Sequence, residues 1–450
     1  MTAVLEPRSR RAPVTYQELL DDDSRPVPAV LRRQSPLAGG PTYVPVERYT
    51  SEEFFKLEVD KLWRKVWQMA CREEDIAEVG DSITYDIAGL SVLVVRSAPE
   101  RFQAFHNVCL HRGRRLSDHG THCSRDFRCP FHGFAWHLDG TLKQVPSAWD
   151  FPHVTPEAFG LPEVRVGRWG GFVFINLDPH CGSLEDHLGE LPDHFSRWPL
   201  EDRYKQAHVA KVLRCNWKLA QEAFMEAYHV VATHPQLLPG MGDSNSQYDV
   251  FGNFSRAITP NGTPSPHLAW EPTEQQMLDA MTDRNLDEPF AARVGPGETA
   301  RRVAAANRRR LLAGALGEAA EGLTDAEMVD NFYFTVFPNF HPWGSYNRIV
   351  YRFRPYGTDV RRSVMECLFL SPFVGERPKA APIHWLGEDD DWTEAPELAL
   401  LARVFNQDVF NLQAVQSGLD GFPNPTITFA NYQETKLRHF HQLLEQQLAR

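Results

Sequence analysis

The chain has 450 residues, 42% of them hydrophobic and 24% charged, with a formal net charge of −12. That length allows two or three domains with cores of their own, and the composition is ordinary for a globular protein. The acidic balance argues against nucleic acid, whose phosphates such a surface repels, and no apolar run approaches the ~20 residues of a membrane span.

The first residues, MTAVLEPRSRRAPVTYQELL, lack the apolar core of a secretory signal. Seven cysteines, an odd number scattered through a long chain, make a poor disulfide scaffold and suit reduced thiols with a metal site among them. A cytoplasmic location is the expectation.

Residues 1–45 are polar and proline-punctuated and read as an extended arm. TSEEFFKLEVDKLWRKVWQ predicts a helix opened by a Thr50–Glu53 capping box, with an apolar stripe through Phe54, Leu57 and Leu62. From about 78 to 178 the text turns to short β-branched runs between turns (DSITYDI, SVLVVRS, FQAFHNV, GGFVFINL), which is an all-β module. A helix is expected over 216–231, then a long polar region over 240–330 that includes the basic stretch Arg301–Arg310. Strands follow at NFYFTVF, YNRIVYRF and VMECLFLSPF, and a last helix over 396–418. The charge runs Asp21–Asp23 and Glu388–Asp391 read as solvated loops.

Inside the β module lies CLHRGRRLSDHGTHCSRDFRCPFHGF, residues 109–134. It offers two matched glycine-backed loops, Cys109-Leu110-His111 and Cys129-Pro130-Phe131-His132, separated by seventeen residues. Two thiolates and two imidazoles would satisfy a tetrahedral zinc, but zinc knuckles usually pair like ligands at C-x₂-C spacing. One Cys and one His per loop suits a [2Fe–2S] cluster with both thiolates on one iron and both imidazoles on the other. The pattern resembles the Rieske family at all four positions; Cys123 falls outside it as a bystander. Respiratory members carry an extra cysteine in each loop where this chain has Arg114 and Phe131, so the resemblance is to the oxygenase branch. Many oxygenases read CPYHGW in the second loop, and here Phe131 and Phe134 depart from that.

A cluster that moves single electrons needs a group to feed. In NWKLAQEAFMEAYHVVATHPQ, residues 216–236, a helix would put Trp217, Ala220, Phe224 and Tyr228 on an apolar stripe and Glu222, Glu226 and His229 on another face. Five residues separate His229 from His234, about 140° on a regular helix, so the helix must bulge or end between them if the rings converge; Pro235 is compatible with an ending. Far downstream, LLARVFNQDVFNLQAVQSGL carries a stripe of Leu401, Val404, Phe405, Leu412, Val415 and Leu419, with Asp408 on that same stripe. A lone buried carboxylate is costly unless paired with an arginine or bound to a metal. Two histidines and a carboxylate are the facial triad of non-haem Fe(II) oxygenases, which leaves iron positions open.

Taken together, NWK, E-x-F-x-E-x-Y-H-x₄-H-P and the late D-x₇-Q-x-G-L resemble the α subunit of Rieske non-haem iron oxygenases. The resemblance implies an α+β fold: residues 46–180 as an all-β Rieske domain with a leading helix, then 181–450 as a helix-grip catalytic domain with an antiparallel sheet. It implies Cys109, His111, Cys129 and His132 on the [2Fe–2S] cluster, His229, His234 and Asp408 on a mononuclear Fe(II), and O₂ as co-substrate. Glu226 would be the inter-subunit electron-transfer bridge, linking an iron-ligand histidine to His132 of the partner subunit. Many ring-dihydroxylating members have aspartate there, with an asparagine shortly before it, where this chain has Glu226 and Ala223.

The chain lacks a G-x-G-x-x-G nucleotide turn and a plant-type ferredoxin spacing, so NAD(P)H is expected to act only through a separate ferredoxin or reductase. The family implies a homotrimer, with or without a β subunit. The expected activity is hydroxylation, in the first instance dihydroxylation, of an aromatic or polycyclic substrate; the alternative is a monooxygenase or demethylase of an N- or O-methyl compound. A Rieske electron carrier and a ligand-binding protein without oxygenase activity are remoter rivals. Phe332, Phe334, Tyr346, Tyr351 and Phe353, with Trp343, would line an apolar pocket or serve as ordinary core. Arg348 or Arg352 would meet a substrate carboxylate, although an exposed strand arginine is the simpler reading of either.

Overall fold

A computed structural model describes residues 14–118, 120–282 and 292–450; residues 1–13 of the expected arm and 283–291 of the polar region lie outside the described residues. The described part of the arm is not simply extended. It forms short helices at Tyr16–Asp21 and Ala29–Arg32, the first with a Thr15–Glu18 capping box. Tyr16, Leu20 and Leu31 are buried, because residues four apart share a helix face and that face docks on the catalytic core. Asp23, read as part of a solvated run, accepts from the backbone N–H groups of Asp325 and Ala326 at 2.9 Å each. The run at Glu388–Asp391 is likewise engaged, with Glu388 and Asp389 pairing with Arg214.

The leading helix also differs from expectation. Ser51, not Thr50, caps Glu52–Glu58, its hydroxyl accepting from the Phe54 N–H at 3.2 Å. After Glu58 the chain widens into a π-helical turn, Val59–Trp63. The buried face is that of Phe55, Leu62 and Trp63, and Leu57 is 39% exposed.

The expected β module is a seven-stranded sheet in the order 68–72, 172–176, 163–169, 101–106, 90–98, 81–87, 121–123. A small sheet of three short strands, Phe127–Arg128, Ala135–Trp136 and Leu142–Gln144, carries the second Cys/His loop. The α+β class with a large antiparallel catalytic sheet holds. Eight strands run in the order 247–251, 254–259, 331–336, 340–342, 349–356, 359–372, 203–213, 384–386, and only the last pair is parallel. Two of these strands, Gln247–Phe251 and Phe254–Thr259, fall in the long polar region, for which no strand was expected. A helix missed in the sequence, Thr435–Leu448, packs on them, while the helix expected at 396–418 spans Leu401–Asp420.

The basic stretch lies on the Ala300–Leu316 helix, where Arg301 pairs with Asp330 and Arg309 with Asp325. A buried polar network joins the leading segment to the catalytic unit. Lys218 Nζ reaches Glu58 Oε1 at 2.7 Å, both side chains essentially inaccessible. Tyr49 donates to Glu222 at 3.0 Å, and His441 Nε2 lies 2.9 Å from the same carboxyl. Burial pushes the Glu222 carboxyl up to about 8. Among the described residues, no helix is long and apolar enough to cross a membrane.

Candidate metal centres

The two Cys/His loops have the same hydrogen-bonding plan. Cys109 N–H donates to the Arg114 carbonyl at 2.7 Å and Gly113 N–H to the Cys109 carbonyl at 2.9 Å. Cys129 N–H donates to Phe134 at 2.8 Å and Gly133 N–H to Cys129 at 3.0 Å. Gly113 and Gly133 close the turns at φ +77° and +79°, a region that a side chain would strain. Cys109 and Cys129 are both 98% buried, and the His111 and His132 rings meet edge to face with centroids 4.7 Å apart. Burial raises the Cys109 thiol above its usual range, with the neighbouring Cys129 adding to the effect.

His111 Nδ1 is buried with no hydrogen-bond partner among the described residues. An orphaned ring nitrogen on an imidazole packed against a second one, with two buried cysteines in the same pair of loops, fits a group that takes two sulfur and two nitrogen donors. Phe134 stacks on His111 at 4.7 Å and 11°, filling the space behind it. Phe131, in contrast, is 57% exposed and lies over His132.

The expected 216–231 helix breaks. It runs only over Trp217–Glu222, and a second short helix covers Val230–Thr233. The residues between are competent helix formers, so the break has a tertiary cause. Phe224 and Met225 N–H groups tighten onto Gln221 and Glu222, three residues back. Ala227 N–H goes to the Tyr248 hydroxyl at 3.0 Å and His229 N–H to Glu226 Oε2 at 3.0 Å. Each thereby leaves the i−4 carbonyl it would need in a helix. As a result Tyr228, placed on the apolar stripe in the sequence, is 48% exposed.

The break sets His229 and His234 at the two ends of Val230–Thr233, with Pro235 stopping the turn. Asp408 enters from the buried face of Leu401–Asp420, which also holds Phe405 and Leu412; Val415 of the expected stripe is 45% exposed. The ligand-type atoms of His229, His234 and Asp408 lie within 4.8 Å of one another. His234 Nε2 is 2.9 Å and His229 Nε2 3.8 Å from Asp408 Oδ1.

Both outer ring nitrogens are held. Glu226 Oε1 meets His229 Nδ1 at 2.6 Å, and Gln407 Oε1 meets His234 Nδ1 at 2.8 Å. Acceptors on Nδ1 fix each ring with Nε2 turned to the common point, the arrangement typical of metal-ligating histidines. Burial alone would lower the His229 imidazole, but Glu226 and then Asp408 more than offset it and hold it up to about 9. A metal bound there displaces that proton, and the donor set of two nitrogens and one carboxylate fits a divalent iron. Gln407 was missed in the sequence; its only signal there is adjacency to Asp408.

The triad opens on a cavity of about 680 Å³. Of the two readings left open for them, Tyr351 and Trp343 take the pocket one: both line the cavity, their rings 6.1 Å apart and nearly perpendicular. Tyr333 completes the corner 5.5 Å from Trp343, while Phe332 and Phe334 point into the core, as strand alternation requires. Phe353 is also core, and Tyr346 lines the cavity. Arg348 lines it too; Arg352 does not, being buried in a two-pronged pair with Glu366 at 2.7 Å on each prong.

Residues 193–450 match the family model for the ring hydroxylating alpha subunit (catalytic domain), and residues 66–155 match the Rieske [2Fe-2S] domain. The carnitine monooxygenase oxygenase subunit of Escherichia coli (strain K12) is 28% identical over 214 residues, 47% of this chain and 57% of that protein. The glycine betaine monooxygenase oxygenase subunit of Pseudomonas aeruginosa (strain UCBPP-PA14) is 30% identical over 195 residues, 43% of this chain and 45% of that protein. The match thus spans about half the length of these curated relatives.

Among solved structures, a quaternary ammonium Rieske monooxygenase superposes with a TM-score of 0.63 at 19% identity, covering 90% of this chain and 94% of its own. Naphthalene 1,2-dioxygenase from Rhodococcus sp., bound to indole, superposes with a TM-score of 0.60 at 19% identity, covering 90% of this chain and 94% of its own. At such identity the likeness is one of fold.

Proposed function

Because the chain belongs to the ring-hydroxylating α-subunit family and carries a Rieske [2Fe–2S] domain, we propose that it is the terminal oxygenase of a multicomponent system and inserts one oxygen atom at a methyl carbon attached to nitrogen. The observation that carries the oxygenase reading is the convergence of His229, His234 and Asp408, each backed or buried, on the wall of a cavity of substrate size. The roles follow the donor sets: Cys109, His111, Cys129 and His132 for the cluster, and the triad for Fe(II). When bound, the cluster supplies single electrons and the iron binds and reduces O₂ beside the substrate.

The chain's own residues do the rest. Glu226 and Gln407 set the ring orientations from behind. Tyr333, Trp343 and Tyr351 form an aromatic corner suited to a methylated ammonium, which is attracted to ring faces. The cavity's carboxylates are already committed: Glu327 to Arg197, Asp330 to Arg301, and Glu226 and Asp408 to the histidines. Rings, not a carboxylate, are therefore what a cationic head meets.

The aromatic dihydroxylation expected first from the sequence is the weaker reading. The curated relatives named above act on carnitine and glycine betaine, and Glu226 and Ala223 depart from the ring-dihydroxylating pattern. The division into 1–45, 46–180 and 181–450, the Glu226 bridge to His132 of the partner subunit, a homotrimer, a cytoplasmic location and a separate ferredoxin or reductase fed by NAD(P)H belong to the same proposal.

The reaction balances as N–CH₃ + O₂ + 2e⁻ + 2H⁺ giving N–CH₂OH + H₂O, and the hydroxymethyl then leaves as formaldehyde. Incubation with a reductase, NADH and ¹⁸O₂ across N-methyl ammonium compounds and naphthalene tests it. Formaldehyde and demethylated amine in step with NADH use are expected. A cis-diol with two labelled oxygens would replace this reading with the aromatic one.

A further inference from the structure

We infer that Lys436, buried behind Tyr333, is a specificity-determining residue of the aromatic corner: it sets a second positive charge against an ammonium head, so the corner takes that head most tightly with Lys436 uncharged. The inference rests on the reading of that corner as the seat of a cationic head and adds to it a residue that the reaction itself does not use.

Lys436 sits in the first turn of the Thr435–Leu448 helix and is fully buried. Its Nζ donates to the Tyr333 carbonyl at 3.0 Å and lies over the Tyr333 ring, 4.5 Å from the centroid. Tyr333 lines the cavity and Lys436 does not, so the ring stands between the amine and the ligand space. Two other buried lysines, Lys205 and Lys218, pair with Asp75 and Glu58. No carboxylate among the described residues comes within ion-pair distance of Lys436. One carbonyl and one ring face suit a neutral amine better than an ammonium with three donors to place, and a helix N-terminus also disfavours a cation. Burial accordingly pushes Lys436 well below the usual lysine range, with Glu226 as the opposing influence.

An ammonium head in contact with the Tyr333 ring lies about 4–5 Å from its centroid. With Lys436 Nζ 4.5 Å from the same centroid, two unit charges would stand about 9 Å apart. At an effective dielectric of about 20 that repulsion corresponds to roughly a 20-fold loss of affinity. An uncharged head of the same shape loses nothing. The coupling is reciprocal, so a bound ammonium weakens the hold of Lys436 on its proton by the same factor. Affinity for a permanent cation therefore rises as pH rises through the titration of Lys436. The elements packed on this helix carry other charges: Asp60 and Lys61 in the Val59–Trp63 turn, and Asp249 and Arg256, paired at 2.6 Å, on the adjoining strands. Glu226 reaches Lys436 from the bend, His341 from the Phe340–Pro342 strand, and Glu434 and Arg438 lie on its own helix. Burial holds His341, His439 and His441 below neutrality and Tyr248 and Tyr333 above their usual range. Glu434, held up to about 7, and Glu222, up to about 8, are thus the rival sources of a pH slope.

Anaerobic calorimetric titration of the iron-loaded protein between pH 6 and 9 tests this with two isosteric pairs: choline against 3,3-dimethylbutan-1-ol, and 4-(trimethylammonio)benzyl alcohol against 4-tert-butylbenzyl alcohol. None of the four titrates in that range. In the native protein the cation-to-neutral affinity ratio is expected to rise about 20-fold across it. Cation binding at the lower end should release a proton, read from two buffers of different ionisation enthalpy. Lys436→Met should hold the ratio at its upper value at every pH, with the neutral probe's affinity and the cluster's visible spectrum unchanged. Glu434→Gln and Glu222→Gln should leave the native slope in place. A ratio flat with pH in the native protein, a slope that survives in Lys436→Met, or a slope lost in either glutamate variant would overturn the role of Lys436 and leave the cationic corner standing. Equal affinities of cation and isostere at every pH in both native protein and Lys436→Met, or no saturable binding of either cation, would overturn that role and remove the ammonium reading with it.

Discussion

Replacing Gln407 with leucine removes the acceptor behind His234 while nearly conserving side-chain volume. The His234 side chain is 3% exposed, and its Nδ1 meets Gln407 Oε1 at 2.8 Å. Gln236 Nε2 donates to the same oxygen at 3.0 Å, which fixes the amide with its oxygen toward the ring. Without that oxygen a buried ring N–H is left unpaired, at a cost of about 1–3 kcal/mol. The ring is then free to turn or to move its proton to Nε2, where a metal must bind.

At about 1.4 kcal/mol per factor of ten, that cost corresponds to roughly a 10- to 100-fold loss of iron affinity, the range seen when outer-shell partners of metal histidines are removed. Anaerobic competition for Fe(II) against a chelator measures it, with the cluster spectrum as internal control because its four ligands sit in loops between strands of the seven- and three-stranded sheets, away from Gln407. Gln407→Glu, which keeps an acceptor, should restore most of the affinity. Iron affinity in Gln407→Leu within about threefold of the native value, with an intact cluster spectrum, would refute the reasoning.

Asp408→Ala should spare the visible spectrum and remove mononuclear iron, whereas replacing His111 or Cys129 should abolish the spectrum; iron counting and absorbance on the same samples separate the two centres. Lys218→Met should lower stability by about 3–5 kcal/mol, because it leaves Glu58 in the interior without its cationic partner; adding Glu58→Gln should recover part of the loss in thermal unfolding. The raised Glu222 carboxyl gives a pH slope of defined sign. Between the usual carboxylate range and about 8 the folded chain holds a proton that the unfolded chain releases. Its contribution to stability therefore falls as pH rises through that window, by at most about 1.4 kcal/mol per pH unit, and levels off above about 8. Glu222→Gln should flatten the slope in melting temperature between pH 6 and 8, and an unchanged slope would show that Glu222 is not its source.

What the sequence alone determined is what chemistry and short spacing can encode. The cluster loops were legible because each is a local turn whose ligands and closing glycine lie within five residues. His229 and His234 were legible as a pair, and Asp408 as a carboxylate on an apolar stripe. The strands around the cluster were readable because their alternation and turn residues are local signals.

The tertiary structure decided the rest, for reasons that no local pattern contains. The helix at 216–231 is broken by a hydroxyl from Tyr248, twenty-one residues away along the chain from Ala227. That break, not propensity, turns His229 toward His234. The buried face of the leading segment falls on Phe55 and Trp63, not on Phe54 and Leu57, because packing against the rest of the fold selects it. Tyr333 rather than Phe332 or Phe334 meets the cavity because strand pairing fixes which alternate residues face it. Arg348 and Arg352 are equivalent in the sequence, and only the fold gives one to Glu366 and the other to the cavity. Asp408 meets His234 across 174 positions of chain. Such convergence depends on sheet register and helix packing summed over the whole domain, where each contact contributes little and only the ensemble fixes the geometry.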